Sequence, residues 1–101
     1  MNIYNKSSII AFYKKHPTSK LALEIWHDEI INQTWQSPNS FKQFFGKKIS
    51  ILKNNRIVFD IKGNDYRLIA SINYEQQWLF IKFIGTHADY DKINANTINQ
   101  Y

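Results

Sequence analysis

The sequence has no cysteine, which excludes disulfides and thiolate metal ligation. Its three histidines are scattered: His16 and His27 lie on different segments with no His-x-His spacing, so no metal site is expected. No Gly-x-Ser-x-Gly elbow and no phosphate-binding Gly-rich loop occurs, and no cofactor is expected. No apolar run approaches the roughly 18 residues of a membrane span. The first eight residues, Met1-Asn-Ile-Tyr-Asn-Lys-Ser-Ser8, lack an apolar core and a small-residue cleavage site, so a cytoplasmic location without a membrane partner is expected. Glycine and proline are sparse, at 3 and 2, which argues against a linker or a low-complexity chain.

Aromatic residues fill the gap, at 16% of the 101 residues. This length and composition suit one domain spanning residues 1–101, with a single core. The tail from Asn94 to Tyr101 offers little to pack and is expected to fray. The net charge is +5 and unevenly spread. Residues 1–53 carry eight Lys against Glu24, Asp28 and Glu29, whereas residues 54–101 balance. Such a basic lobe suits a polyanionic partner through counterion release, although solubility alone would also explain it.

Apolar spacing predicts two helices first. Ser7 or Ser8 is placed to cap one carrying Ile9, Phe12, Tyr13 and His16, closed by Pro17. Thr18 or Ser19 is placed to cap a second that buries Leu23, Trp26 and Ile30 and runs to about Trp35. A brief third helix is expected over Ser40–Phe45, ending at Gly46. From Ile49 the period becomes two. Strands are expected over 56–61, 66–74 and 78–86, with Gly63 and Asn64 supplying positive φ in the first turn. Asn2-Ile3-Tyr4 reads as an edge strand or a disordered start. The fold class is α+β: an N-terminal antiparallel helix hairpin packs on one face of a small, mainly antiparallel sheet of three to four strands, with a short C-terminal helix. The other sheet face, bearing Arg67, Ser71 and Asn73, is expected to stay open.

Four residues stand out chemically. Arg67 lies on an inner strand, where a charge needs a task or a partner; either a phosphate or an ion pair with Asp60 or Asp91 would serve. His87 opens the last helical turn and can act as acid or base near neutral pH, or simply cap and pack. Tyr90 and Asp91 follow at helical spacing, so Asp91 can orient the imidazole while Tyr90 shares its face or anchors the core. A base, an acid and a cation together suffice to cut RNA through its own 2′-hydroxyl without a metal. Lys42, Lys47, Lys48 and Lys53 form either a solvated surface or a phosphate rail.

Taken in order, Lys15-His16-Pro17, Trp35-Gln-Ser-Pro38, Arg56-Ile-Val-Phe-Asp-Ile61, Gly63-Asn-Asp-Tyr-Arg-Leu68 and Thr86-His-Ala-Asp-Tyr-Asp91 resemble the HigB toxins of the RelE-like superfamily. The resemblance runs from the first helix to about Ile93. It implies a RelE-like fold and an mRNA interferase that cuts messages on the translating ribosome, held inactive by a cognate HigA-like helix-turn-helix antitoxin. It assigns Arg67 to the scissile phosphate and His87 and Tyr90 to catalysis; Asn64 and Asp91 are expected to support them. Lys42, Lys47, Lys48 and Lys53 would grip ribosomal RNA, with Lys62 and Lys82 adding positive field. The sequence departs from the superfamily where Val58 and Asp60 replace strand lysines, leaving Lys62 or Lys53 as substitutes. The rival reading is a non-catalytic RNA- or antitoxin-binding module that acts in operon repression.

Overall fold

The computed structural model describes all 101 residues. The chain opens with strand β1 (Asn2–Tyr4) and turns at Asn5, whose φ of 71° is left-handed. Asparagine tolerates that region better than most residues, so helix α1 (Lys6–Lys15) begins earlier than the serines suggested. Ser8 lies inside the helix and donates back to the Asn5 carbonyl at 2.6 Å. Pro17 stops α1 as expected, and Pro17–Ser19 forms one 3-10 turn before helix α2 (Lys20–Ile31).

Helix α2 buries Leu23, Trp26 and Ile30 but stops at Ile31 rather than near Trp35. Trp35 is drawn out of helical register by better contacts. Its ring stacks on Phe41 at 4.4 Å, and its indole N–H donates to the Ile30 carbonyl at 3.0 Å. Gln77 fixes the Trp35 backbone from both sides, accepting from its N–H at 3.1 Å and donating to its carbonyl at 2.7 Å. Ser37 and Pro38 then start helix α3 (Pro38–Phe45) through a reciprocal cap with Ser40.

The remaining strands are β2 (Ile49–Ile51), β3 (Arg56–Ile61), β4 (Tyr66–Asn73) and β5 (Trp78–Thr86), followed by helix α4 (His87–Tyr90). They form one five-stranded sheet in the order β1-β5-β4-β3-β2. The count exceeds the expected three to four because the N-terminal segment joins β5 in parallel as an edge strand; every other pairing is antiparallel. All three longer helices bury apolar residues against one face, where Ile9, Leu23, Trp26, Ile30 and Phe41 meet Phe59, Leu68, Ile72 and Leu79. The fold class read from the sequence therefore stands. No helix is long and apolar enough to cross a membrane.

The opposite face is not open along its length. The β4–β5 register shifts between Ile69 and Ala70, and this bulge leaves Phe83 beside Val58 and Ile69 on the outer side. Three buried apolar side chains there need cover, and the tail expected to fray supplies it. Ile93, Ala95 and Ile98 pack on the trio. Arg56 donates to the carbonyls of Ala95 and Ile98 at 3.2 and 2.8 Å. Gln100 completes the seat, its backbone N–H on the Lys82 carbonyl at 2.8 Å and its side-chain oxygen accepting from Ile84 N–H at 3.2 Å.

Candidate active site

Where the tail leaves the outer face bare, the β3–β4 turn and α4 meet at one corner. Register places Arg67 opposite Asp60 on β3 and opposite Gly85 on β5. The Arg67 Nε lies 3.2 Å from Asp60 Oδ1. Its other two nitrogens face the turn: one donates to the Asn64 carbonyl at 3.1 Å, the other to Asn64 Oδ1 at 2.9 Å. The Arg67 side chain is 11% exposed, so it is a held cation and not a mobile surface charge. Of the two carboxylates considered from sequence, Asp60 is its partner; Asp91 is engaged elsewhere.

The turn that presents Asn64 uses left-handed backbone at Lys62 (φ 53°) and Gly63 (φ 62°). Asn64 was expected to take such a conformation. It does not, and its side chain is left available to Arg67. Lys62 pairs loosely with Asp65 at 3.7 Å. The Asp65 carbonyl accepts the His87 backbone N–H at 3.1 Å, which ties the turn to α4.

Helix α4 is one turn long and would not persist alone. Thr86 and Asp89 hold it with a reciprocal cap: the Thr86 hydroxyl accepts from Asp89 N–H at 3.1 Å, and the Asp89 carboxylate accepts from Thr86 N–H at 3.3 Å. The exposed His87 then lies 3.2 Å through Nδ1 from Asp91 Oδ2. The Tyr90 ring sits 5.7 Å from the Arg67 guanidinium carbon and 6.4 Å from the Phe83 ring. Arg67 and Tyr90 are thus in direct contact. His87 has no hydrogen bond to Arg67 and reaches the corner through its position on the same helical turn as Tyr90.

Two contributors escaped the sequence reading. Gly85 has room for nothing larger, because an added Cβ would meet the Phe83 ring at 2.5 Å and Asp89 Cβ at 3.1 Å. A lone glycine inside an apolar strand was the available signal. Asp89 was legible too, as the fourth residue of a Thr-x-x-Asp cap.

The lysines do not line one rail. Lys42 reaches the Ile49 carbonyl at 3.5 Å beside β2. Lys47 and Lys48 are exposed after α3. Lys48 and Lys62 border a cleft of about 270 Å³ that also exposes Ile25 and Phe44. Lys53 lies in the β2–β3 turn, at the opposite end of β3 from the Arg67 corner, so it cannot stand in for a strand lysine there. Lys82 projects from β5 toward Asn99, 3.5 Å away. Where superfamily relatives carry lysines, Val58 is buried beneath the tail and Asp60 is spent on Arg67.

A family described as HigB toxin, the RelE-like toxic component of a toxin–antitoxin system, matches residues 19–93. The mRNA interferase HigB of Escherichia coli O6:H1 is 31% identical over 94 residues, covering 92% of this chain and 91% of that protein. The mRNA interferase toxin HigB of Escherichia coli K12 and the mRNA interferase HigB of Shigella flexneri are each 25% identical over 96 residues, covering 94% of this chain and 92% of theirs. A helix hairpin sealed on one sheet face, an arginine and a tyrosine in contact on the other, and a match across most of the sequence agree: this chain belongs to the HigB family of RelE-like toxins.

Proposed function

We propose that the chain is an endoribonuclease toxin that cleaves mRNA on the ribosome by metal-independent attack of the 2′-hydroxyl, and so arrests translation in the cytoplasm. The observation that carries this reading is the contact of Arg67 with Tyr90, on the same helical turn as the His87–Asp91 pair. A phosphodiester seated at the corner would meet a guanidinium fork, which matches two phosphate oxygens and offsets the charge that builds on phosphorus. Asp60 keeps Nε occupied, so the phosphate takes the bonds that Asn64 now receives. His87, oriented by Asp91, either takes the proton of the attacking 2′-hydroxyl or gives one to the departing 5′-oxygen. Tyr90 stacks on a base or assists that transfer. The products are a 2′,3′-cyclic phosphate, or its 3′-phosphate, and a 5′-hydroxyl. Lys42, Lys47, Lys48, Lys53, Lys62 and Lys82 supply the attraction to RNA, and the partner that silences the toxin is a HigA-like helix-turn-helix protein.

A second reading is favoured by one observation. Arg67 has every nitrogen occupied within the chain, as a purely structural arginine would. In that case the protein binds RNA or antitoxin without cutting and serves operon repression. Inducible expression in a bacterium separates the two. Growth arrest with new 5′-hydroxyl message ends, abolished by Arg67→Ala and by His87→Ala, supports the nuclease. Equal arrest by all three chains removes the catalytic assignment, and no arrest by the intact chain favours the binding module.

A further inference from the structure

The outer face carries a second feature that the Arg67 corner does not use. Tyr4, Phe80 and Trp78 lie together on it, with ring centroids 5.6 Å apart for Tyr4 and Phe80 and 6.4 Å apart for Trp78 and Phe80. The grouping follows from register, because parallel pairing sets Tyr4 beside Phe80 and Asn2 beside Trp78. Tyr4 is 54% and Trp78 38% exposed, so these rings are not core that happens to reach the surface. Lys82 holds its ammonium 5.9 Å from the Phe80 ring centroid. Beside Phe80 opens a hollow of about 490 Å³ lined by Asn55, Ser71 and Asn73, with Glu75 its one charged lining residue.

We propose that this aromatic platform is a stacking subsite for unpaired RNA bases, a proposal that rests on the reading of the chain as an RNA-cleaving toxin. Flat exposed rings bind the π-face of any base, and a neighbouring lysine adds phosphate attraction. The amide and hydroxyl groups of the hollow suit base edges better than they suit an apolar protein plug. Ser71 pairs with Phe80, and Arg67 lies four residues earlier on β4, which puts the platform about 13 Å from the corner along the strand. A base held there belongs to a nucleotide a few positions from the phosphate at Arg67, so the platform would bind flanking message rather than the scissile step. The tail, with Asn96 and Asn99 exposed, lies on the same face.

The protein contains its own reporter. Trp26 and Trp35 are buried, which leaves Trp78 as the exposed indole. The test titrates the intact chain with an uncleavable 2′-O-methyl oligoribonucleotide of six to eight residues, following tryptophan emission and, separately, a labelled oligomer. Saturable quenching is expected. Phe80→Leu is expected to weaken binding about tenfold and Phe80→Tyr to restore it. Lys82→Gln is expected to lower the salt dependence by about one counterion. Arg67→Ala is expected to lose message cleavage yet keep the quenching, so the two readings fail separately. Binding of the labelled oligomer with unchanged emission overturns the platform. So does a folded Trp78→Leu/Phe80→Leu chain that binds as tightly as the intact one, including the case where that chain loses only self-association.

Discussion

The two faces of the sheet are built on different principles. The helix-covered face buries eighteen residues in one continuous cluster of interlocked aromatic and aliphatic side chains. The outer face buries three, and what covers them is a tail held by an arginine and a glutamine. Close packing tolerates little change in volume, whereas a polar strap over a small apolar trio can be loosened without unfolding the rest. Stability therefore concentrates on one side and the proposed chemistry on the other. The charged residues of the corner owe their placement to strand register and one capped turn, with little help from packing.

This contrast yields variants that should separate the two properties. The largest effect belongs to Arg67→Ala, expected to reduce RNA cleavage by about a hundredfold or more while stability falls by only about 2 kcal/mol from the lost Asp60 pair and Asn64 bonds. A matching collapse in stability would erase the distinction between the faces. Phe41→Ala does the opposite, removing a fully buried ring that stacks on Trp35; a loss of about 3–5 kcal/mol is expected in denaturant unfolding. Arg56→Ala frees the tail by deleting two charge-assisted bonds, with an expected cost of about 2 kcal/mol and faster amide exchange over residues 93–100. Thr86→Ala removes one half of the cap on α4 and should cost about 1 kcal/mol. Its effect on cleavage should exceed its effect on stability, because His87 and Tyr90 depend on that turn.

The smallest expected effect tests the inner face. Burial pushes the Tyr74 hydroxyl up to about 12, and that hydroxyl has no hydrogen-bond partner. The folded state then keeps its proton above pH 10 while the unfolded chain loses it. Stability is thus whole below pH 10 and declines as pH rises from 10 towards 12. Tyr74→Phe should remove Tyr74's share of this decline and be near neutral at pH 7, read from denaturation midpoints across the alkaline range.

Much of this arrangement was legible from the residues alone. Period-two alternation located β3 and β4, a nearly unbroken apolar run located β5, and the apolar stripe of α2 located its buried side, because such patterns are one-dimensional records of what meets the core. The corner was half legible. Arg67, His87, Tyr90 and Asp91 declared themselves by residue type and spacing, but the choice of Asp60 over Asp91 as the arginine's partner is a matter of cross-strand register, which spacing along one chain cannot fix. Trp35 leaves its helix for Phe41 and Gln77, partners distant in sequence. The tail was misread because its cover depends on a bulge in β5, and no local pattern announces that Phe83 turns outward there.

The parallel pairing of β1 with β5 has a consequence for biosynthesis. As the chain is synthesised, β1 finds no neighbour until Trp78–Phe80 has been made, more than seventy residues later. Closing so long a loop is slow, and it keeps the nascent polypeptide from completing its sheet. An interrupted translation product ending before the last strand would lack both the edge pairing and the helical turn bearing the imidazole. Truncated copies of such a toxin are therefore expected to be harmless as well as unfolded, leaving full-length synthesis as the step at which its danger begins.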